Sequence, residues 1–160
     1  MSDHNISEHD FDKFAEFFYR KTGIKFEPSK RYFVDKRLTE RMRETGSDSF
    51  RHYFTTLRFQ ASGEELQRLT NLLTVNETYF MREDYQFRCL IDSMLPDVIS
   101  RHDPRKPIRI WCIPSSSGEE PYSIAMYLLE EWEGINDWDV ELIASDIDTQ
   151  ILATAQKGIY

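Results

Sequence analysis

Apolar and polar positions along this chain follow one period in its first half and two in its second. Over residues 7–73 the period is helical. Phe11, Phe14, Phe17 and Phe18 recur at one-turn spacing behind Ser7-Glu8-His9-Asp10, a capping pattern, and Gly23 marks the stop. Pro28-Ser29 opens a second helix, in which Val34, Leu38 and Met42 form an i, i+4 stripe with the basic residues largely elsewhere. Ser47-Asp48 precedes a third with Phe50, Tyr53, Phe54 and Leu57. Ser62-Gly63-Glu64-Glu65 precedes a fourth with Leu66, Leu69, Leu72 and Leu73. Short helices with short connections predict a small bundle.

Residues 74–83 break the rhythm. Their polar, β-branched and aromatic mixture predicts an extended linker that makes contacts of its own. A helix over about Asp84 to Ser100 follows, carrying Phe87, Leu90, Ile91, Met94 and Leu95, and Asp103-Pro104-Arg105-Lys106-Pro107 is turn-rich. Ile108-Arg109-Ile110-Trp111-Cys112-Ile113 then predicts a buried strand. After a serine-rich turn comes a helix over about Glu119 to Glu133, with Ile124, Ala125, Leu128, Leu129 and Trp132 on its core face. Val140 to Asp146 predicts a second strand and Gln150 to Lys157 a further helix. Strand, turn, helix, strand, acid is the opening unit of a parallel α/β sheet.

Composition narrows the setting. With 160 residues, 40% of them hydrophobic, the chain can build one ordinary domain or two small ones. No apolar run reaches the roughly 18 residues a membrane span needs. Met1-Ser2-Asp3-His4-Asn5 lacks the layout of a signal peptide. Cys89 and Cys112 sit in apolar contexts without metal-type spacing, which predicts reduced core thiols in a cytoplasmic protein and no metal site. The net charge of −8 argues against nucleic-acid binding. Against that background, Lys30 to Arg43 holds six basic residues and two acids, a surface suited to an acidic partner.

The turn Ser116-Ser117-Gly118-Glu119-Glu120-Pro121-Tyr122 carries the clearest chemistry. Small residues let a ligand approach the unpaired N–H groups of a helix N-terminus. Asp146, at the tip of the next strand, is placed to accept hydrogen bonds from ribose hydroxyls. The turn has one glycine and so fails the dinucleotide pattern, and its two acids would repel a pyrophosphate. A cationic ligand such as a sulfonium or amino group suits them better. The same residues also describe an ordinary strand–helix turn with a solvated acidic cap.

Three runs together resemble the chemotaxis receptor methyltransferases, the CheR family. They are Leu73-Thr74-Val75-Asn76-Glu77-Thr78-Tyr79-Phe80-Met81-Arg82-Glu83, the turn continued as Ser123-Ile124-Ala125, and Ala144-Ser145-Asp146-Ile147-Asp148; Ala155-Gln156-Lys157-Gly158-Ile159-Tyr160 also fits. The resemblance covers nearly the whole chain. It implies an N-terminal all-α helical domain (1–73), a linker contributing to the cofactor site (74–83) and a partial Rossmann-like methyltransferase domain (84–160) that binds S-adenosylmethionine and releases S-adenosylhomocysteine. The family's N-x-T-x-F-F-R-E linker maps onto Asn76, Thr78, Phe80, Arg82 and Glu83, with Met81 replacing the second Phe. Asn76, Thr78 and Arg82 are thereby implied as cofactor ligands, Arg82 facing the methionyl carboxylate and standing as the candidate catalytic residue. One of Glu119 and Glu120 is implied to meet the cofactor's amino group, with Glu120 favoured, and Asp146 to hold the ribose. Asp148 is read as a helix cap. The basic helix resembles the family's docking helix for acidic chemoreceptor helices. Arg37, Arg41 and Arg43 match it, and Glu40 stands where another basic residue is expected.

The implied reaction is methyl transfer to glutamate side chains of chemoreceptor cytoplasmic domains. A carboxylate is already nucleophilic at neutral pH, so alignment and exclusion of water carry the catalysis. Family members continue beyond the position of Tyr160 with further strands, a small β-subdomain and an N-x-x-I-Y-F motif. The expectation is therefore a chain truncated after the first half of the catalytic domain, which can cover its open sheet by self-association. The rival reading is a non-catalytic module that binds an acidic helical partner through the basic helix. Another nucleotide-binding Rossmann enzyme is disfavoured by the single glycine and the acid pair.

Overall fold

The computed structural model describes residues 6–160; Met1 to Asn5, with the reading of the N-terminus made on them, lie outside the described residues. The chain divides into two compact units, Met1–Thr74 and Val75–Tyr160.

In the first unit α1 spans Glu8–Thr22, α2 Arg31–Glu44, α3 Phe50–Phe59 and α4 Glu64–Leu73. Their ends follow local chemistry. Ser7 accepts from the Asp10 N–H and Gly23 closes α1 in the left-handed region, where a side chain would be strained. Ser49, not Ser47-Asp48, caps α3, because it is the serine whose hydroxyl reaches the His52 N–H. A single 3₁₀ turn, Pro28–Lys30, leads into α2. Phe14, Phe18, Val34, Leu38, Met42, Tyr53 and Leu69 are fully buried and form the core, with the expected i, i+4 stripe of α2 at its centre. Each such side chain contributes about 1.5–3 kcal/mol by leaving water.

The second unit opens on the linker and on a helix that is not continuous. α5 (Asp84–Cys89) widens into a π turn over Leu90–Met94 before α6 (Leu95–Ile99). Pro96 explains the break: it has no N–H to donate and its ring collides with the carbonyl four residues back, so the backbone opens one residue wider. Then come β1 (Ile108–Cys112), α7 (Glu119–Glu131), a 3₁₀ turn, β2 (Val140–Ala144) and α8 (Thr149–Lys157). β1 and β2 pair in parallel, Ile108 opposite Val140 through Cys112 opposite Ala144, with α7 as the crossover. This is the expected α/β order.

The sheet is one-sided rather than buried on both faces. Ile108, Cys112, Ile124, Leu128 and Trp132 join Phe87 and Leu95 in the core, with Ile110, Val140 and Leu142 packed against it. The alternate positions face outward, Trp111 at 63% exposure. On that face the register sets Arg109 opposite Glu141, an ion pair at 2.7 Å, and Trp111 opposite Ile143. Leu129 is also exposed, because it lies one residue past the i, i+4 stripe of Ile124, Leu128 and Trp132. Of the two cysteines, Cys112 is buried and Cys89 is exposed, so the expectation of two core thiols holds for one.

Candidate cofactor site

The second unit brings its chemistry to the ends of β1 and β2. Past β1 the ladder is extended by the Ser115 N–H on the Ser145 carbonyl, so the two strand ends stay together. The Ser115 side chain is buried and its Oγ has no partner among the described residues. The chain then turns through Ser116 and Gly118, both at positive φ, and enters α7. At Gly118, with φ of 101°, an added Cβ would stand 2.7 Å from the Tyr160 hydroxyl, so only hydrogen fits.

Asp146 sits between the two turns. Its Oδ2 accepts from the Ser116 N–H at 2.8 Å and its Oδ1 from the Asp148 N–H at 2.9 Å. Each oxygen retains a lone-pair direction for another donor. Asp148 is buried; it caps α8 by accepting from the Gln150 and Ile151 N–H groups and also accepts the Asn76 side-chain amide at 2.7 Å. The Ser116 hydroxyl in turn donates to the Asn76 carbonyl at 3.2 Å. Asn76, Asp148, Asp146 and Ser116 thus close a hydrogen-bonded circuit that ties the linker, both βα turns and the start of α8 together.

The acid pair divides its work. Glu119 is half-buried, and its carboxylate accepts the Ser117 hydroxyl at 2.6 Å. Glu120 is exposed. Burial, and secondarily the Glu120 charge, push the Cys112 thiol up to about 11. Both acids lie in the first turn of α7, where the helix dipole favours negative charge.

The linker is fixed by its backbone. The Met81 N–H donates to the Ser123 hydroxyl of α7 at 2.9 Å, and Met81 and Glu83 both adopt positive φ. Arg82 is exposed; it donates to the Glu77 carbonyl at 3.1 Å, with its guanidinium 5.5 Å from the Tyr79 ring centroid. Thr78 is half-buried. Of the expected ligand set, the structure therefore joins Asn76 to Asp146 through Asp148 and Ser116. It leaves Arg82 solvent-facing on the linker and sets both glutamates at the head of α7.

The basic helix differs from expectation at one position. Arg41 lies inside the first unit at 6% exposure, held by both oxygens of Glu65, at 2.9 and 2.7 Å, and by Glu44. Tyr53 donates to the same Glu65 at 2.8 Å. The Glu65 hydrogen bonds hold the Arg41 guanidinium well above its usual range, while burial and the Glu65 charge raise the Tyr53 phenol. Arg41 fails as a docking residue because it falls on the face of α2 that turns to α4. Arg37 is half-buried, bonded to Glu40 at 3.1 Å with its guanidinium over the Phe33 ring, and Arg43 is exposed.

Comparison with known proteins fixes the family. Residues 76–160 match the model described as CheR methyltransferase, SAM binding domain, and residues 9–74 that described as CheR methyltransferase, all-alpha domain.

The chain belongs to the CheR methyltransferase family.

Chemotaxis protein methyltransferase 2 of Vibrio cholerae is 58% identical over 160 residues, covering 100% of this chain and 55% of that protein. Chemotaxis protein methyltransferase 2 of Pseudomonas aeruginosa is 40% identical over 156 residues, 98% of this chain and 53% of that protein. The chemotaxis protein methyltransferase of Escherichia coli K12 is 36% identical over 157 residues, 97% and 51% respectively. The chain spans about half the length of the curated relatives it matches. The match of its second unit to the CheR SAM binding domain makes S-adenosylmethionine the cofactor. The residues present fit it: two acids at the head of α7 for a cationic group, Asp146 with spare acceptor directions for hydroxyls, and Arg82 for a carboxylate.

Sequence reasoning passed over Ser116, Ser123, Tyr160 and the second role of Asp148. Ser116 stood in the quoted turn, but its backbone bond to Asp146 spans 30 positions and leaves no local signal.

Proposed function

We propose that this chain carries the cofactor-binding part of a protein-glutamate O-methyltransferase acting on chemoreceptor cytoplasmic domains in chemotaxis adaptation. The observation that carries the reading is the Asp146 carboxylate, held by backbone donors from both βα turns in a unit matching the SAM binding domain. S-Adenosylmethionine, when bound, supplies an electrophilic methyl group on its sulfonium. Asp146 orients the ribose, and Arg82 grips the methionyl carboxylate. Glu120 meets the amino group, since the Glu119 carboxylate is already engaged by Ser117. Thr78 lines the same side. Asn76 acts through Asp148, which it holds in place. An incoming glutamate carboxylate forms a C–O bond as the methyl C–S bond breaks, giving a methyl ester and S-adenosylhomocysteine.

In this reading residues 1–73 form the helical domain, 74–83 the linker that completes the cofactor site and 84–160 the methyltransferase part. Arg37 and Arg43, on the basic helix, dock the acidic receptor helix. The cytoplasm is the place of action; among the described residues no helix is long and apolar enough to cross a membrane. Pairing of open strand edges between two copies offers self-association. The names of the relatives, all chemotaxis protein methyltransferases, support this reading over a non-catalytic module.

The test is methyl incorporation from labelled cofactor into a chemoreceptor cytoplasmic fragment, run beside a calorimetric titration with S-adenosylhomocysteine. Binding by this chain, with methylation by a chain extended to the length of the relatives, is the expected pair of results. Absence of binding and of methylation in both chains overturns the reading.

A further inference from the structure

Tyr160 makes three contacts that no part of the proposed chemistry uses. Its hydroxyl donates to the Ser117 carbonyl at 2.7 Å, inside the glycine turn. Its ring meets Phe80 of the linker edge-to-face, with centroids 4.8 Å apart. It also meets Tyr122 of α7, at 5.8 Å and steeply tilted. Gly118 lies directly beneath the hydroxyl, where any Cβ would intrude. The contacts are specific in geometry, yet the side chain is 56% exposed and belongs to no core cluster. A half-exposed tyrosine adds little to the stability of the unit. What it does is join two segments that the fold otherwise connects through one bond, that of the Met81 N–H to Ser123.

We infer that Tyr160 is a positioning residue of the cofactor site, a latch that fastens the Ser117-Gly118 turn to the Phe80-Arg82 linker. The inference rests on reading turn and linker as the cofactor site. The two halves of the tyrosine do separable work. The hydroxyl holds the turn that presents Glu119 and Glu120. The ring, through Phe80, holds the linker that presents Arg82. A latch of this kind narrows the spread of distances between the acids and the arginine, and so favours a ligand that carries an amino group and a carboxylate together.

Two backbone probes report on the two halves: the Gly118 N–H, bonded to the Ser115 carbonyl, and the Met81 N–H, bonded to Ser123. The experiment measures amide hydrogen exchange at both in this chain, without ligand, for Tyr160→Phe and Tyr160→Ala. It is followed by calorimetric titration of each with S-adenosylhomocysteine. Tyr160→Ala is expected to speed exchange at both amides by about tenfold, the scale of one lost hydrogen bond and one lost aromatic contact. Tyr160→Phe is expected to speed it at Gly118 alone and leave Met81 as in the parent. Affinity should fall about tenfold for Tyr160→Ala and no more than about threefold for Tyr160→Phe, with melting temperatures unchanged. Parent-like exchange at both amides in Tyr160→Ala overturns the latch. So does an equal loss of protection in both variants, or a general loss across the unit. Failure of the parent chain to bind S-adenosylhomocysteine counts against the cofactor-site reading, while the exchange measurement still decides whether the latch exists.

Discussion

Asn76 donates its side-chain amide to the Asp148 carboxylate at 2.7 Å, and through that bond the first residues of the linker are anchored to the cap of α8. Asp148 is therefore a hub as well as a helix cap. Replacing it with alanine removes the cap, worth about 1 kcal/mol, and takes from the Asn76 amide a partly buried partner, worth about 1–3 kcal/mol. Urea unfolding of Asp148→Ala should show the second unit destabilised by about 2–4 kcal/mol. A loss below about 0.5 kcal/mol, typical of an ordinary surface substitution, would show the hub to be ornamental.

Asp146 faces N–H groups with both oxygens, so its two variants should differ in kind. Asp146→Asn sets an amide donor against the backbone donor of Ser116 or Asp148, at a cost of about 1–3 kcal/mol in stability. It also weakens the acceptor meant for ribose hydroxyls. Asp146→Ala should abolish detectable S-adenosylhomocysteine binding by calorimetry. Retention of parent affinity in Asp146→Ala would remove the residue from the ligand set.

Arg82 is exposed and held by local contacts, so its loss should leave stability unchanged. Its proposed ligand is charged, and a charge-assisted bond is worth about 1.5–3 kcal/mol. Arg82→Ala should accordingly weaken cofactor binding by roughly 10- to 100-fold with an unaltered melting temperature. Arg82→Lys should recover only part of it, since a point charge cannot grip a carboxylate in two places. Equal loss in affinity and melting temperature would mark Arg82 as structural.

Arg41 and Glu65 are buried as a two-bond pair, with Tyr53 on the same carboxylate. Arg41→Met alone leaves a buried charge uncompensated, costing the helical unit about 3–5 kcal/mol in chemical denaturation. Arg41→Met with Glu65→Met should recover most of that loss, because two apolar side chains replace two desolvated charges. An additive double variant would show that the pair is not coupled. Reversing charge at Arg43, by contrast, should leave stability within about 0.5 kcal/mol while weakening capture of a chemoreceptor fragment.

The two thiols should behave differently. Cys89 is exposed and should react with a thiol reagent in the native chain at neutral pH, while Cys112 reacts only after unfolding. Burial raises the Cys112 thiol from 9.0 to about 11 in the folded state. The folded chain then holds a proton that the unfolded chain has lost, so stability falls as pH rises across that window, by at most about 1.4 kcal/mol per unit. Cys112→Ser or Cys112→Ala should flatten the alkaline limb of the pH–stability curve, and an unchanged limb would assign it to other groups.

Much of the molecule was legible from local pattern. Helix ends announced themselves where a cap is a neighbour in sequence, as with Ser7 and Gly23, and the stripe of Val34, Leu38 and Met42 declared its face. Misreadings arose where a neighbour in space decides. Leu129 and Trp111 are apolar but turn outward, because periodicity selects a face and cannot say whether a second layer covers it. Arg41 counted as surface charge until Glu65, 24 positions away, supplied its partner. In the site the residue types were readable. The bonds joining them run from Ser116 to Asp146 and from Asn76 to Asp148, and no local signal predicts such pairings.

The circuit of Asn76, Ser116, Asp146 and Asp148 also has a consequence for the timing of assembly. Its bonds close over 72, 40 and 30 positions, whereas each helix forms within its own few turns. Closing such loops is entropically costly, so these contacts form late and helices form early. During synthesis the ribosome must release residue 148 before residue 76 can find its partner. Readiness for cofactor is therefore among the last properties the nascent second unit acquires.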